Sequence, residues 1–405
     1  VEKVKTMKRG LIIAAVTLLF GLLVSTLFFY RRSGEQESLQ PRIAQASAPD
    51  TSGFARATGV KDLTFPLDHG PHLDYQTEWW YYTGNLQAEN GRRFGFQLTF
   101  FRRALQPPAQ MPRRDSDWAA SQVYMAHFAV SDIADGKFHA FERLSRGAAG
   151  LAGAGAEPFR VWLEDWYVEQ TPGRTDECHE RSEPLCAYRL YAAQSGIILE
   201  LDLLDQKGPI LQGDQGYSQK GAQPGQASYY YSLTRLQSSG KVTVEGQTYA
   251  VSGTSWMDHE WSTSVLSQEQ VGWDWFSLQF DDGSELMVFQ IRRADGRVDP
   301  FSSGMLIAAD GRTTRLGWED FSIEVTDRWP SPHSGAVYPA RWNLRVPLQR
   351  IELAIEPHMA DQELNVSYAY WEGAVRVTGI KDGSVVKGNG YVELTGYSGS
   401  MGGEF

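Results

Sequence analysis

The chain has 405 residues, with 49 Asp and Glu against 38 Lys and Arg and a formal net charge of −11. That length exceeds one hydrophobic core and predicts two domains plus an appendage, while the acidic balance, with no Lys/Arg block in the body, excludes nucleic acid as a partner. Aromatic residues make up 12%, including 13 Trp, enough to fill either core layers or a ligand cavity.

Residues 1–32 read as a membrane anchor or signal. The run 11–30 carries no charge, follows Lys3, Lys5, Lys8 and Arg9, and precedes Arg31-Arg32. An apolar stretch of that length spans a hydrocarbon core of about 30 Å, and the basic flank predicts a cytoplasmic N-terminus with the body exported. The expectation is a single-pass protein of the inner (cytoplasmic) membrane; the alternative is secretion after cleavage near Ala44-Gln45-Ala46. Residues 33–60 are polar and aperiodic, a tether.

The body is read as all-β. Trp79–Leu86 and Arg93–Arg102 flank Asn90-Gly91 as a hairpin. Further strands are expected at Val123–Asp132, Phe159–Val168, Tyr188–Ala193, Ile197–Leu204, Tyr229–Leu236 and Lys241–Val251. Only the stretch 139–151 has a helix-compatible pattern. Cys178 and Cys186, the two cysteines, are spaced to close a small disulfide loop in an oxidising compartment; two free thiols are the alternative. A second unit repeats the plan from Trp273 to Phe280, through Asp281-Asp282-Gly283, to Glu285–Arg293. Both hairpins close on Arg-Arg pairs, Arg102-Arg103 and Arg292-Arg293, which suggests an internal duplication. Strands at 304–308, 321–325, 342–346, 351–357, 371–378 and 390–396 follow.

The chemistry-bearing residues cluster in Glu78-Trp79-Trp80-Tyr81-Tyr82, in Ser252–Trp261 and in Gly272–Phe276. On a strand, Asp258 and Glu260 share one face and His259 takes the other. His259 is a candidate acid or base, a metal ligand or a junction-fixing hydrogen bonder; no HxH or HExxH spacing supports metal. Asp274 is either a desolvated proton donor among indoles or a solvent-facing carboxylate. Glu78 is either an acid–base partner of His259 or a strand-edge charge. Trp79, Trp80, Tyr82, Trp256, Trp261, Trp273 and Trp275 are the candidate ligand-binding residues. His69, His72 and Asp74 are metal-compatible types without ligand spacing, and neither a GxSxG elbow nor a phosphate loop occurs, so no metal, cofactor or serine-hydrolase chemistry is expected.

These same motifs resemble the carotenoid 1,2-hydratase/AttH family of paired lipocalin-like domains, over roughly residues 60–400. The resemblance implies lipocalin-like barrels, placed here at 61–255 and 256–405, with a pocket near their junction. It implies binding of a hydrophobic lipid- or polyene-like molecule. The only residue group the resemblance carries over is the motif Asp258–Trp261; the alternatives are hydratase, cyclase or hydrolase-type chemistry, with His259, Asp274 or Glu78 from the residue reading above as proton donor, and an accessory role beside an ABC-type export system.

Overall fold

The computed structural model describes residues 51–111, 116–171, 186–263 and 266–401. Among them there is no α-helix; the residues form 23 strands and a few 3-10 turns.

The first sheet opens with the hairpin of β1 (Thr77–Ala88) and β2 (Arg93–Ala104), turned at Gly91 with φ 84°. It continues through β3 (Gln122–Asp132), β4 (Lys137–Arg146), β5 (Ala152–Ala156), β6 (Phe159–Leu163) and β7 (Trp166–Gln170). Next come β8 (Ala187–Gln194), β9 (Ile197–Asp205), the short β10 (Pro209–Leu211) and β11 (Tyr217–Gln219), and the long β12 (Ala227–Val244) and β13 (Gln247–Ser262). The second sheet comprises β14 (Gln270–Phe280), β15 (Glu285–Arg293), β16 (Ser303–Ile307), β17 (Thr313–Gly317) and β18 (Ser322–Pro330). It ends with β19 (Val337–Val346), β20 (Ile351–Pro357), β21 (Glu363–Asn365), β22 (Ala369–Lys381) and β23 (Ser384–Leu394).

The order in the 13-stranded sheet is β4-β3-β2-β1-β13-β12-β9-β8-β7-β6-β5, and in the 10-stranded sheet β17-β16-β15-β14-β23-β22-β20-β19-β18. Every ladder is antiparallel, as hairpin-linked strands require. Each sheet curls around an apolar interior. Trp80, Phe96, Phe128, Trp166, Leu199 and Tyr231 lie in the first; Phe276, Trp342, Leu344, Ile355 and Trp371 lie in the second. Alternation leaves a second apolar face on β1, β12 and β13, and there Tyr81, Tyr230 and Trp256 meet Trp275, Phe289 and Tyr391 of the other sheet. Polar ties cross the same junction: Asn85 Nδ2 donates to the Gly390 carbonyl at 2.9 Å, Gln279 Nε2 to the Ser255 carbonyl at 2.9 Å, and Ser131 Oγ to Gln362 Oε1 at 2.7 Å.

Several sequence expectations change. The stretch 139–151 is not helical; most of it is the half-exposed edge strand β4. Its Phe138, Phe141 and Leu144 are spaced by three, which imitates a helix face. The run read as one strand, Phe159–Val168, is the hairpin β6–β7, turned at Glu164 with φ 56°. The break expected between Tyr229–Leu236 and Lys241–Val251 is absent: β12 runs on to Val244, and the turn at Glu245-Gly246 falls inside the second of those runs. Gly240 is needed inside the strand, because a Cβ there would sit 2.1 Å from the Glu200 carbonyl oxygen.

The expected single-pass placement in the inner membrane is also corrected. No helix among the described residues is long and apolar enough to cross a membrane, and the run 11–30 that carried the expectation lies outside them. Cys178 of the expected disulfide lies outside them too, while Cys186 is buried.

Candidate functional site

Two chemically distinct sites share the strands β1 and β13. Their register pairs Glu78 with Trp261, Trp80 with His259 and Tyr82 with Met257, and these residues point into the first barrel. The alternate pairs, Trp79 with Glu260 and Tyr81 with Asp258, point to the junction. One conspicuous stretch of sequence therefore serves two faces.

Inside the barrel, Glu78 is the hub of a buried polar network. Its Oε1 lies 2.7 Å from His72 Nδ1 and 2.8 Å from His259 Nε2. Its Oε2 accepts the Arg102 Nε–H at 2.7 Å, and the His72 amide donates to the same carboxylate. Arg102 is fully buried and completes its bonds on Gln122 Oε1 and on the carbonyls of His72 and Tyr75. Beyond the imidazoles stand Asp68, 2.8 Å from His72 Nε2, and the Tyr231 hydroxyl, 3.2 Å from His259 Nδ1. The rings are also stacked, His72 on Trp261 at 3.6 Å and His259 on Trp80 at 4.8 Å between centroids. Burial alone would raise the Glu78 pKa, but the charges of Arg102 and His72 outweigh it and hold the carboxyl well below its usual range. For His259 burial wins and lowers the pKa to about 4 despite Glu78, so the ring is neutral at pH 7.

The junction face holds a cavity of about 130 Å³. Its walls are rich in aromatic rings, among them Trp79, Tyr81, Phe101, Trp273, Trp275 and Phe289, and its polar groups include Asp258, Glu260, Glu393 and Lys220. Asp258 accepts hydrogen bonds from the Tyr230 hydroxyl at 2.7 Å, Ser232 Oγ at 2.5 Å and Trp256 Nε1 at 2.6 Å. Burial nevertheless pushes its carboxyl up from 3.8 to about 7, with a further push from Glu260. Glu393 is likewise raised to about 7, first by burial and then by Asp258 and Glu260, against one hydrogen bond from Trp273 Nε1. Burial and the neighbouring Glu393 hold Glu372 well above the carboxylate range. Glu260 accepts the Ser228 hydroxyl and lies 3.2 Å from Lys220 Nζ. Lys220 in turn sits 4.0 Å above the Phe289 ring.

Of the residues expected to be catalytic, Glu78 and His259 are in contact, but in the barrel interior and not on the cavity. Asp274 is apart from both. It faces the second barrel, where Arg292 Nε donates to it at 3.0 Å and the Tyr397 hydroxyl at 3.0 Å. Of the expected ligand-binding aromatics, Trp79, Trp273 and Trp275 line the cavity. Trp256 lies in the junction cluster, and Trp80, Tyr82 and Trp261 are in the first interior. Sequence reasoning missed Glu393 and Lys220, and it marked Asp258 only as part of the motif Asp258–Trp261 without giving it a catalytic role. Strand alternation already separated Asp258 from His259, and Glu393 stands alone as an acid in the apolar run Tyr391–Leu394; Lys220 carries no such signal.

Fold and site define a paired lipocalin-like β-barrel protein whose junction cavity combines aromatic walls with desolvated carboxyl groups. The chain belongs to the AttH-like family, whose pattern matches residues 56–397. It is similar to an AttH-type protein of Nitrosomonas europaea of known structure, with 36% identity over 85% of this chain and 100% of that chain, at a TM-score of 0.73. Kievitone hydratase from Nectria haematococca shares the fold, with 14% identity over 88% of this chain and 99% of that chain, at a TM-score of 0.61. No curated protein sequence matches it.

Proposed function

We propose that the junction cavity binds an apolar unsaturated molecule and hydrates or cyclises it by proton transfer. The observation that carries this reading is Asp258: a carboxyl group held near neutrality, with a pKa of about 7, in a wall of aromatic rings. A smooth cavity with only solvated carboxylates would suit a carrier. A desolvated acid suits a donor. The structural likeness to a hydratase supports the fold alone.

The electron count is simple. The π electrons of the substrate double bond take the Asp258 proton, forming a C–H bond and a cation on the neighbouring carbon. The faces of Trp79 and Trp273 stabilise that cation through their ring quadrupoles. Water attacks it and passes a proton to the Glu393 carboxylate, giving an alcohol; alternatively a second double bond of the same molecule attacks it, closing a ring and moving the cation to a new carbon, which then loses a proton from the adjacent carbon to the Glu393 carboxylate and leaves a double bond. Burial raises both carboxyl groups to about 7, the range in which a carboxyl group can give or take a proton at neutral pH.

The test uses the full chain purified from its native host. Apolar molecules retained by it are extracted, identified and returned to fresh protein in D2O. Deuterium on carbon in the wild type, lost in Asp258→Asn, is the expected result. Equal binding by both proteins with no deuterium incorporation would instead establish a carrier, the second reading, which the aromatic walls also favour.

A further inference from the structure

The interior network has no part in the reaction proposed above, and it has the chemistry of a different site. His72 Nδ1, Glu78 Oε1 and His259 Nε2 come from a loop and two neighbouring strands, and the three atoms all lie within 4.8 Å of one another. Two imidazoles and a carboxylate form a nitrogen–oxygen donor set suited to divalent first-row metals, zinc among them.

The outer atoms of the same residues are already engaged. His72 Nε2 lies 2.8 Å from Asp68 Oδ1, His259 Nδ1 lies 3.2 Å from the Tyr231 hydroxyl, and Glu78 Oε2 accepts Arg102 Nε at 2.7 Å. Metal-binding histidines are oriented by partners of this kind on the far ring nitrogen, a carboxylate or another oxygen acceptor. His72 is the rim of the site, with 11% of its side chain exposed, and provides the route of entry.

We propose that His72, Glu78 and His259 bind one divalent metal ion of the zinc type inside the first barrel. The ion fastens the loop bearing His72 to β1 and β13, on the reverse side of the strands that present Trp79, Asp258 and Glu260 to the cavity. The second barrel has an acid–arginine pair, Asp274 with Arg292, but its further partner is the Tyr397 hydroxyl and not an imidazole. The proposal therefore specifies one ion per chain.

The experiment uses the full chain, stripped with a chelator, dialysed and reloaded with zinc or cobalt. One zinc per chain by elemental analysis, and a higher thermal midpoint on loading, are expected. Cobalt should give absorption without a thiolate charge-transfer band, which separates this site from Cys178, His179 and Cys186. His72→Ala should abolish stoichiometric binding. Asp68→Asn should weaken it about 10- to 100-fold, as loss of an outer partner does, and it keeps the test available where His259→Ala fails to fold. Cys178→Ser and His333→Ala should bind as the wild type does. The proposal is overturned by less than one ion per chain with no change in midpoint, by a thiolate band, or by stoichiometric binding that survives His72→Ala.

Discussion

Asp258→Asn separates the acid proposed here from an ordinary buried hydrogen-bond acceptor without requiring a substrate. In the folded chain burial raises the carboxyl from 3.8 to about 7, so the folded state holds its proton more tightly than the unfolded one. The sign follows from that. The contribution of this group to stability is fully present below pH 4 and is lost as pH rises towards and through 7. At about 1.4 kcal/mol per tenfold change in proton affinity, the whole effect is about 4 kcal/mol, of which more than half falls between pH 5 and pH 8. Asn keeps the shape and cannot ionise. Its Oδ1 can still accept from Ser232 and Trp256, and its amide can donate to the Tyr230 hydroxyl, which now faces a donor. Any loss from that rearrangement is independent of pH. Urea denaturation of both proteins at pH 5 and pH 8 should show the variant gaining on the wild type by about 2–3 kcal/mol at the higher pH. A difference that stays constant with pH would mean that Asp258 is ionised throughout, and the proton-donor assignment would fall with it.

Three further outcomes follow from the same geometry. Arg102→Met leaves Glu78 and three other buried acceptors without their donor, and should cost about 3–5 kcal/mol in urea denaturation; a loss under about 1 kcal/mol would show that the network is not a stabilising element. Trp273→Ala removes a cavity wall and should weaken binding of a retained apolar molecule by about 1.5–3 kcal/mol, roughly ten- to a hundredfold, in a fluorescence titration. Unchanged affinity would place the ligand elsewhere. Asp274→Asn should destabilise the protein by about 1–3 kcal/mol through its lost charged partner Arg292 while leaving ligand binding untouched. A change in affinity would move Asp274 back towards the cavity.

Local signals in the sequence were read well where the physics is local. The turns at Asn90-Gly91 and Asp282-Gly283 both place glycine at positive φ, 84° and 80°, and each joins two strands as expected. The strand boundary set between Leu236 and Lys241 falls inside β12, because a glycine such as Gly240, required by a close backbone approach, looks the same in sequence as one required by a turn. Glu164 gave no warning at all, being a non-glycine residue in the left-handed region. At the site, period-two alternation showed that His259 and its acidic neighbours point apart. It could not show which face meets the other barrel. That depends on pairings such as Trp275 with Glu393, and on the position of Lys220 between sheets.

The strand orders give the site a deeper logic. Read outward from the central ladder, β3-β2-β1-β13-β12-β9-β8-β7 in one sheet corresponds to β16-β15-β14-β23-β22-β20-β19-β18 in the other. The buried acid–arginine pairs fall at matching places, Glu78 with Arg102 at 2.7 Å and Asp274 with Arg292 at 3.0 Å. So do the next residues along: Trp79 stands opposite Glu260 on β13, and Trp275 stands opposite Glu393 on β23. Each barrel therefore contributes one tryptophan–glutamate pair to the cavity, and a symmetric molecule would have only those. Asp258 breaks the correspondence. Two positions before Glu260 it is a carboxyl, whereas two positions before Glu393 the second barrel has Tyr391. The first barrel departs again inside, where His72 and His259 surround its acid–arginine pair and the second barrel has Tyr397 instead. A repeated scaffold needs neither departure to fold, since the second barrel closes without them. The two groups that the repeat does not explain, the extra junction acid and the paired imidazoles behind it, are for that reason the ones to which chemistry is assigned.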